Sequence, residues 1–79
     1  MATVINTKVD WKAMGLYIAD RRRHLGMTQS ELATVTGRKQ PDISVMERGT
    51  AQSTVETLVN VAEALGLKPG KLIEQFLKK

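Results

Sequence analysis

Four glycines constrain this chain more than any other feature. Gly26, Gly37, Gly49 and Gly66 each close a short segment in which apolar residues recur with the 3.6-residue period of an α-helix. Glycine tolerates the left-handed backbone that commonly ends a helix, so the four positions read as helix stops. Strand-like alternation is confined to Val4-Ile5. The spacing therefore predicts an all-α domain of five helices over residues 10–25, 28–36, 40–48, 54–65 and 69–77, the last opened by Lys68-Pro69. Residues 1–9 read as a mobile N-terminal arm before a domain of residues 10–79.

Two helices show which way they face. Asp10 is placed to cap the first, and Trp11, Met14, Ile18, Arg22 and Leu25 fall in one stripe at 100° per residue, which puts an arginine on a buried face. The fourth gathers Val55, Leu58, Val59, Ala62 and Leu65 opposite Glu56, Asn60 and Glu63, and so forms the floor of the core. A chain of 79 residues makes one small domain, and a domain of that size buries only about 60% of its unfolded surface, so something must staple it. With no cysteine, a disulfide and a thiolate zinc site are both excluded. That composition fits a reducing compartment. No apolar run nears the ~20 residues of a membrane span, and residues 1–8 lack a signal peptide's apolar region, so the expected location is cytoplasmic. The remaining staples are packing, an ion pair or a second subunit.

Twelve Lys and Arg against eight Asp and Glu give a net charge of +4, the balance of a protein that meets a polyanion. The stretch from Thr28 to Gly49 shows where such a partner would sit. Thr28 and Glu31 form a capping box that starts a short helix, Leu32 faces the core, Ala33 lets a neighbour cross closely, and Gly37 turns the chain. Lys39-Gln40-Pro41 then starts another helix, where a first-turn proline is tolerated. On that helix Ile43, Met46 and Glu47 point one way, and Gln40, Pro41, Ser44, Val45 and Arg48 the other. The second set is a poor core and a usable reading surface. Two short helices joined by a glycine turn, the second presenting a polar face, have the helix-turn-helix geometry that enters a DNA major groove. Arg22 and Glu47 each lie on an inward face, and a lone buried charge is costly, so the two are expected to pair.

At these residues the sequence resembles the lambda-repressor-like helix-turn-helix family, also called the Cro/cI or XRE family. The matching stretches are Ile18 to Met27 with Arg22, Thr-Gln-Ser-Glu-Leu-Ala at 28–33, Gly37, Ile43-Ser44, Glu47-Arg48-Gly49, and Thr57-Leu58 through Ala64-Leu65-Gly66-Leu67. Together they cover nearly the whole domain. The resemblance implies a five-helix lambda-repressor-like fold, a phosphate contact from Gln29, base reading through Gln40, Pro41, Ser44 and Val45, and an Arg22–Glu47 brace. Two departures make the turn more polar than is usual in the family: Arg38 replaces an aliphatic residue, and Thr36 a small apolar one. Pro41 and Val45 stand where hydrogen-bonding side chains are common, which shifts readout towards shape and methyl contact. Gln40 is the best candidate for a bidentate contact to adenine. Lys39, Gln29 and Arg48 are assigned to phosphates, and Asp42 to support of the helix N-terminus.

Leu72, Ile73, Phe76 and Leu77 span a wide arc of the last helix, and either cap the domain's own core or form a dimer interface. A dimer would set two reading helices in successive major grooves ~34 Å apart. The Val4-Ile5 arm offers strand pairing between subunits as an alternative. Arg21, Arg23 and His24 end the first helix with charge that either meets DNA or simply favours the helix dipole. His24, the single histidine, reads as a surface residue rather than a metal ligand, and Trp11 and Tyr17 as packing. The expected protein is a homodimeric transcriptional repressor that binds double-stranded operator DNA at an inverted repeat, without cofactor, metal or membrane. The alternative is the antitoxin of a toxin–antitoxin pair, with a toxin as partner. One histidine, no cysteine, no phosphate loop and no paired carboxylates argue against an enzyme.

Overall fold

Helix starts and the four glycine stops fall where the side-chain chemistry predicts them. The computed structural model describes residues 8–78, and in chain order it contains α1 (Trp11–His24), α2 (Gln29–Thr36), α3 (Gln40–Arg48), α4 (Val55–Ala64) and α5 (Pro69–Gln75). The Asp10 carboxylate accepts from the Ala13 amide at 3.1 Å to cap α1. Thr28 and Glu31 close their reciprocal box at 2.8 and 3.0 Å, and the Thr54 hydroxyl caps α4 through the Thr57 amide at 3.2 Å. At the other ends, all four stop glycines take φ between 66° and 72°. Thr36 packs in the turn by folding its hydroxyl back onto the Leu32 carbonyl at 2.7 Å.

The core forms where α1 packs on α3, α2 on α3 and α4, and α4 on α5. Met14, Ile18, Leu32, Ile43, Leu58, Val61 and Leu65 are fully buried there. Two expected stripes need correction. Trp11 is only half-buried and Leu25 is 44% exposed, because the chain leaves the helical path at both ends of α1. On α4, Val55 and Val59 are half-buried while Val61 is fully enclosed. The true stripe is Leu58, Val61, Ala62 and Leu65, since α4 must face α2 and α5 together.

The packing of α1 on α3 is unusually close. A Cβ at Gly15 would stand 2.5 Å from the carbonyl oxygens of both Met46 and Glu47, and one at Gly49 would run into the backbone of Lys12. Glycine within a helix costs about 1 kcal/mol relative to alanine; here it lets two backbones touch.

The ends of the domain also differ from expectation. Val4 and Ile5 lie outside the described residues, but Lys8 and Val9, read as arm, are tied into the domain. The Lys78 amide donates to the Lys8 carbonyl at 2.7 Å, the Asp10 amide to the Phe76 carbonyl at 2.8 Å, and Val9 is buried between them opposite Leu77. α5 stops at Gln75 instead of running to residue 77: Phe76 turns out of the helix at φ −112° and ψ 14°, and Leu77 bridges antiparallel to Val9.

Candidate nucleic-acid interface

The interface is built outward from a buried ion pair. Arg22 on α1 donates Nε to Glu47 Oε2 at 2.6 Å and Nη2 to Oε1 at 3.0 Å, two parallel bonds between residues 7% and 6% exposed. Its Nη1 donates to the Met27 carbonyl at 2.8 Å, so the guanidinium also holds the loop between α1 and α2. Burial pushes the Glu47 carboxyl up, but hydrogen bonds from Arg22 and Gln29, with the charges of Arg22 and Arg23, outweigh it and hold the group below the ordinary carboxylate range. The same partner raises Arg22. Both groups are therefore locked in their charged forms at neutral pH.

From that pair a hydrogen-bond chain runs to the surface. Gln29 Nε2 donates to Glu47 Oε1 at 2.9 Å, and Gln40 Nε2 donates to Gln29 Oε1 at 2.6 Å. Because a carboxylate only accepts, Gln29 must turn its NH₂ inward and its oxygen outward, which fixes how Gln40 presents its own amide. Gln29, expected only at a phosphate, thus has an inner role that chain spacing gave no hint of. The structure brings Gln29 and Gln40 together at the junction of α2 and α3.

The other expected residues share that outer face. Gln40, Pro41 and Arg48 are exposed, and Ser44 and Val45 are half-buried between them. Arg48 Nη1 donates to the Ser44 hydroxyl. Lys39 is exposed at the N-cap of α3, and its amide donates to Asp42 Oδ2 at 3.5 Å, so Asp42 supports the helix N-terminus. Arg38 turns towards α4, where its guanidinium lies 3.8 Å from Glu56 while its Nε is buried without a hydrogen-bond partner.

Of the basic cluster ending α1, Arg21 points away from this face and donates Nε to the Leu65 carbonyl at 3.1 Å, capping the end of α4. Arg23 and His24 remain exposed. On α5, Leu72 is 2% exposed and belongs to the chain's own core, so it is not available to a partner. Ile73 and Phe76 pack partly on that core, and Leu77 is 43% exposed. Gly15 is the positional residue that the sequence analysis missed; its signal was a glycine in mid-helix, where no turn requires one.

Residues 18–72 match the helix-turn-helix family model HTH_3. The chain belongs to this helix-turn-helix family. Among relatives of known name, it is 39% identical over 62 residues to an uncharacterized HTH-type transcriptional regulator, y4dJ, of Sinorhizobium fredii, across 78% of this chain and 80% of the relative. Solved helix-turn-helix structures superpose closely. The restriction-modification controller protein C.AhdI of Aeromonas hydrophila does so with a TM-score of 0.75 and 25% identity, covering 80% of this chain and 96% of that one. The P22 c2 repressor, solved with a synthetic operator, gives 0.72 and 31%, covering 77% and 92%. The five helices read from the glycine spacing, and the lambda-repressor-like fold implied by the resemblance of the motif residues, are those of these proteins.

Proposed function

We infer that this DNA-binding transcriptional regulator acts as a homodimeric, sequence-specific repressor, with α3 in the major groove of an inverted-repeat operator. The observation that carries this reading is the outer face of α3, held by the chain from Gln40 through Gln29 and Glu47 to Arg22. A base-reading side chain must meet its base in one orientation, and this chain supplies one. With an Nε2 hydrogen engaged by Gln29, Gln40 still offers Oε1 to accept from adenine N6 and its other Nε2 hydrogen to donate to N7. Pro41 and Val45 offer apolar contact to thymine methyl groups, and Ser44 a small hydroxyl. Gln29, Lys39 and Arg48 meet phosphates and fix the register without reading sequence.

The P22 c2 repressor's complex with operator DNA supports a DNA partner for a relative of this shape. Exposed Leu77 with half-buried Ile73 and Phe76 supports a subunit contact at the end opposite the ion pair, backed by Leu72 from within. No helix among the described residues is long and apolar enough to cross a membrane, and a cytoplasmic site of action fits a DNA partner. The antitoxin reading gains no support from the named relatives. The family is one of DNA-binding regulators, and we assign this chain no catalytic role.

Binding measurements on base-substituted duplexes test the reading. Gln40→Ala should erase ~1–3 kcal/mol of preference at one base step. Lys39→Ala should weaken all sequences alike and lower the salt slope by about one unit. If neither profile moves, α3 is not the helix in the groove.

A further inference from the structure

A groove of about 470 Å³ runs along α1 beside α3 and the start of α2. One wall is a single helical stripe of Lys12, Leu16, Ala19 and Arg23, spaced by four, three and four residues. The other carries Arg48 and Thr50, and it opens onto Gln29 and Ser44 of the reading face. This juxtaposition depends on the glycine contacts at Gly15 and Gly49, which bring α1 onto the C-terminal end of α3.

The groove's charge is one-sided. Its carboxylate, Glu47, gives both oxygens to Arg22 and Gln29. Among the described residues, Lys12, Arg23 and Arg48 have no carboxylate within 4.0 Å. Between those cations lie Ala19, buried as the floor, and Leu16, 63% exposed and otherwise unexplained on a face that meets a polyanion. A strip with cations at its ends and an apolar middle matches a nucleic-acid strand, where charged phosphates alternate with carbon-rich sugars. Lys12 and Arg23 are eleven residues apart, about 16 Å along a helix, enough to span several phosphates of one strand.

The geometry points to this groove as a seat for the sugar-phosphate strand that flanks the half-site read by α3, with Lys12 and Arg23 on phosphates and Leu16 against a deoxyribose. The assignment rests on the DNA-binding reading above and extends its footprint beyond α3. It predicts contacts that add affinity for every sequence and preference for none.

The test is the salt dependence of binding to a random-sequence duplex and to a duplex selected by the wild-type protein, for Lys12→Ala, Arg23→Ala and Leu16→Glu, with Lys71→Ala on α5 as control. Each alanine variant on α1 should lower the salt slope by about one unit on both duplexes. Leu16→Glu, at an exposed position, should weaken both at least tenfold without changing the melting temperature, and Lys71→Ala should match wild type. Ethylation interference should map the affected phosphates outside the α3 half-site. Wild-type slopes in both alanine variants, with wild-type affinity in Leu16→Glu, would overturn the groove while leaving α3 in place. Unchanged DNA binding with lost binding to polyglutamate would overturn it in favour of an acidic protein segment. Failure of the underlying reading looks different: the wild-type protein itself would bind neither duplex.

Discussion

The α1–α3 junction and the α5 end close the same small domain by opposite means. At the junction, backbones touch at Gly15, and the contact is directional: a bidentate Arg22–Glu47 pair, a third bond from Gln29, and a tie to the Met27 carbonyl. At the α5 end, Leu72 fills the core, Tyr17 and Phe76 stack tilted at 5.5 Å, and two backbone bonds to residues 8–10 hold the chain. Apolar contact is largely indifferent to angle, whereas a bidentate ion pair is not. The difference teaches where orientation matters. The junction sets how α3 is presented, while the α5 end supplies area and leaves Leu77 accessible. A buried pair is weak evidence of net stability, since well-packed apolar residues often do as well, but losing one partner strands a charge.

Arg22→Met should therefore have the largest effect, a loss of ~3–5 kcal/mol in urea unfolding, comparable with the whole stability of a small domain. Arg22→Met with Glu47→Leu sharpens the comparison. It should recover much of the stability, because no charge is left stranded, yet not the sequence preference, because Gln29 loses the acceptor that orients it. Gly15→Ala should cost about 1–3 kcal/mol, as the added methyl separates α1 from α3. A melting temperature within a few degrees of wild type for Arg22→Met would break the distinction between the two ends.

Acid provides a graded version of the same comparison. Glu47 is held below its ordinary value, so its contribution to stability is complete above the usual glutamate pKa of about 4.3 and drains away as pH falls through the lower folded value. Urea midpoints should be nearly flat from neutral pH down to about 5 and fall below about 4, with a smaller acid dependence in Glu47→Gln. Glu31 is also lowered, by bonds from the Thr28 amide and hydroxyl, but it is solvent-exposed and adds little to this window. Leu77→Ser at the opposite end should have the smallest effect on stability, within about 0.5 kcal/mol at low protein concentration. Sedimentation should nonetheless show weaker self-association.

Much of this was legible in the chain because local chemistry wrote it there. Stop glycines marked four helix ends, Asp10 and the Thr28–Glu31 box marked two starts, and paired inward charges announced Arg22–Glu47. The parts that were not legible depend on what lies across the core. Val61 is buried because α4 has two neighbours, and Leu25 is exposed because the chain leaves the helix there. Gln29's inner bond requires Glu47 to arrive from 18 residues away. The groove along α1 needed the Gly15 contact before Lys12 and Leu16 could be seen beside Arg48. Likewise, the pairing of residues 8–10 with 76–78 joins the two ends of the described chain, a separation that no local pattern encodes.

The central claim is that the outer face of α3 reads sequence in a dimer, and selection of bound duplexes from a random pool tests it most directly. The account predicts an enriched inverted repeat with half-sites about 34 Å apart, including an adenine that Gln40→Ala no longer selects. A pool with no enriched sequence, or an identical motif from the Gln40→Ala protein, would contradict it.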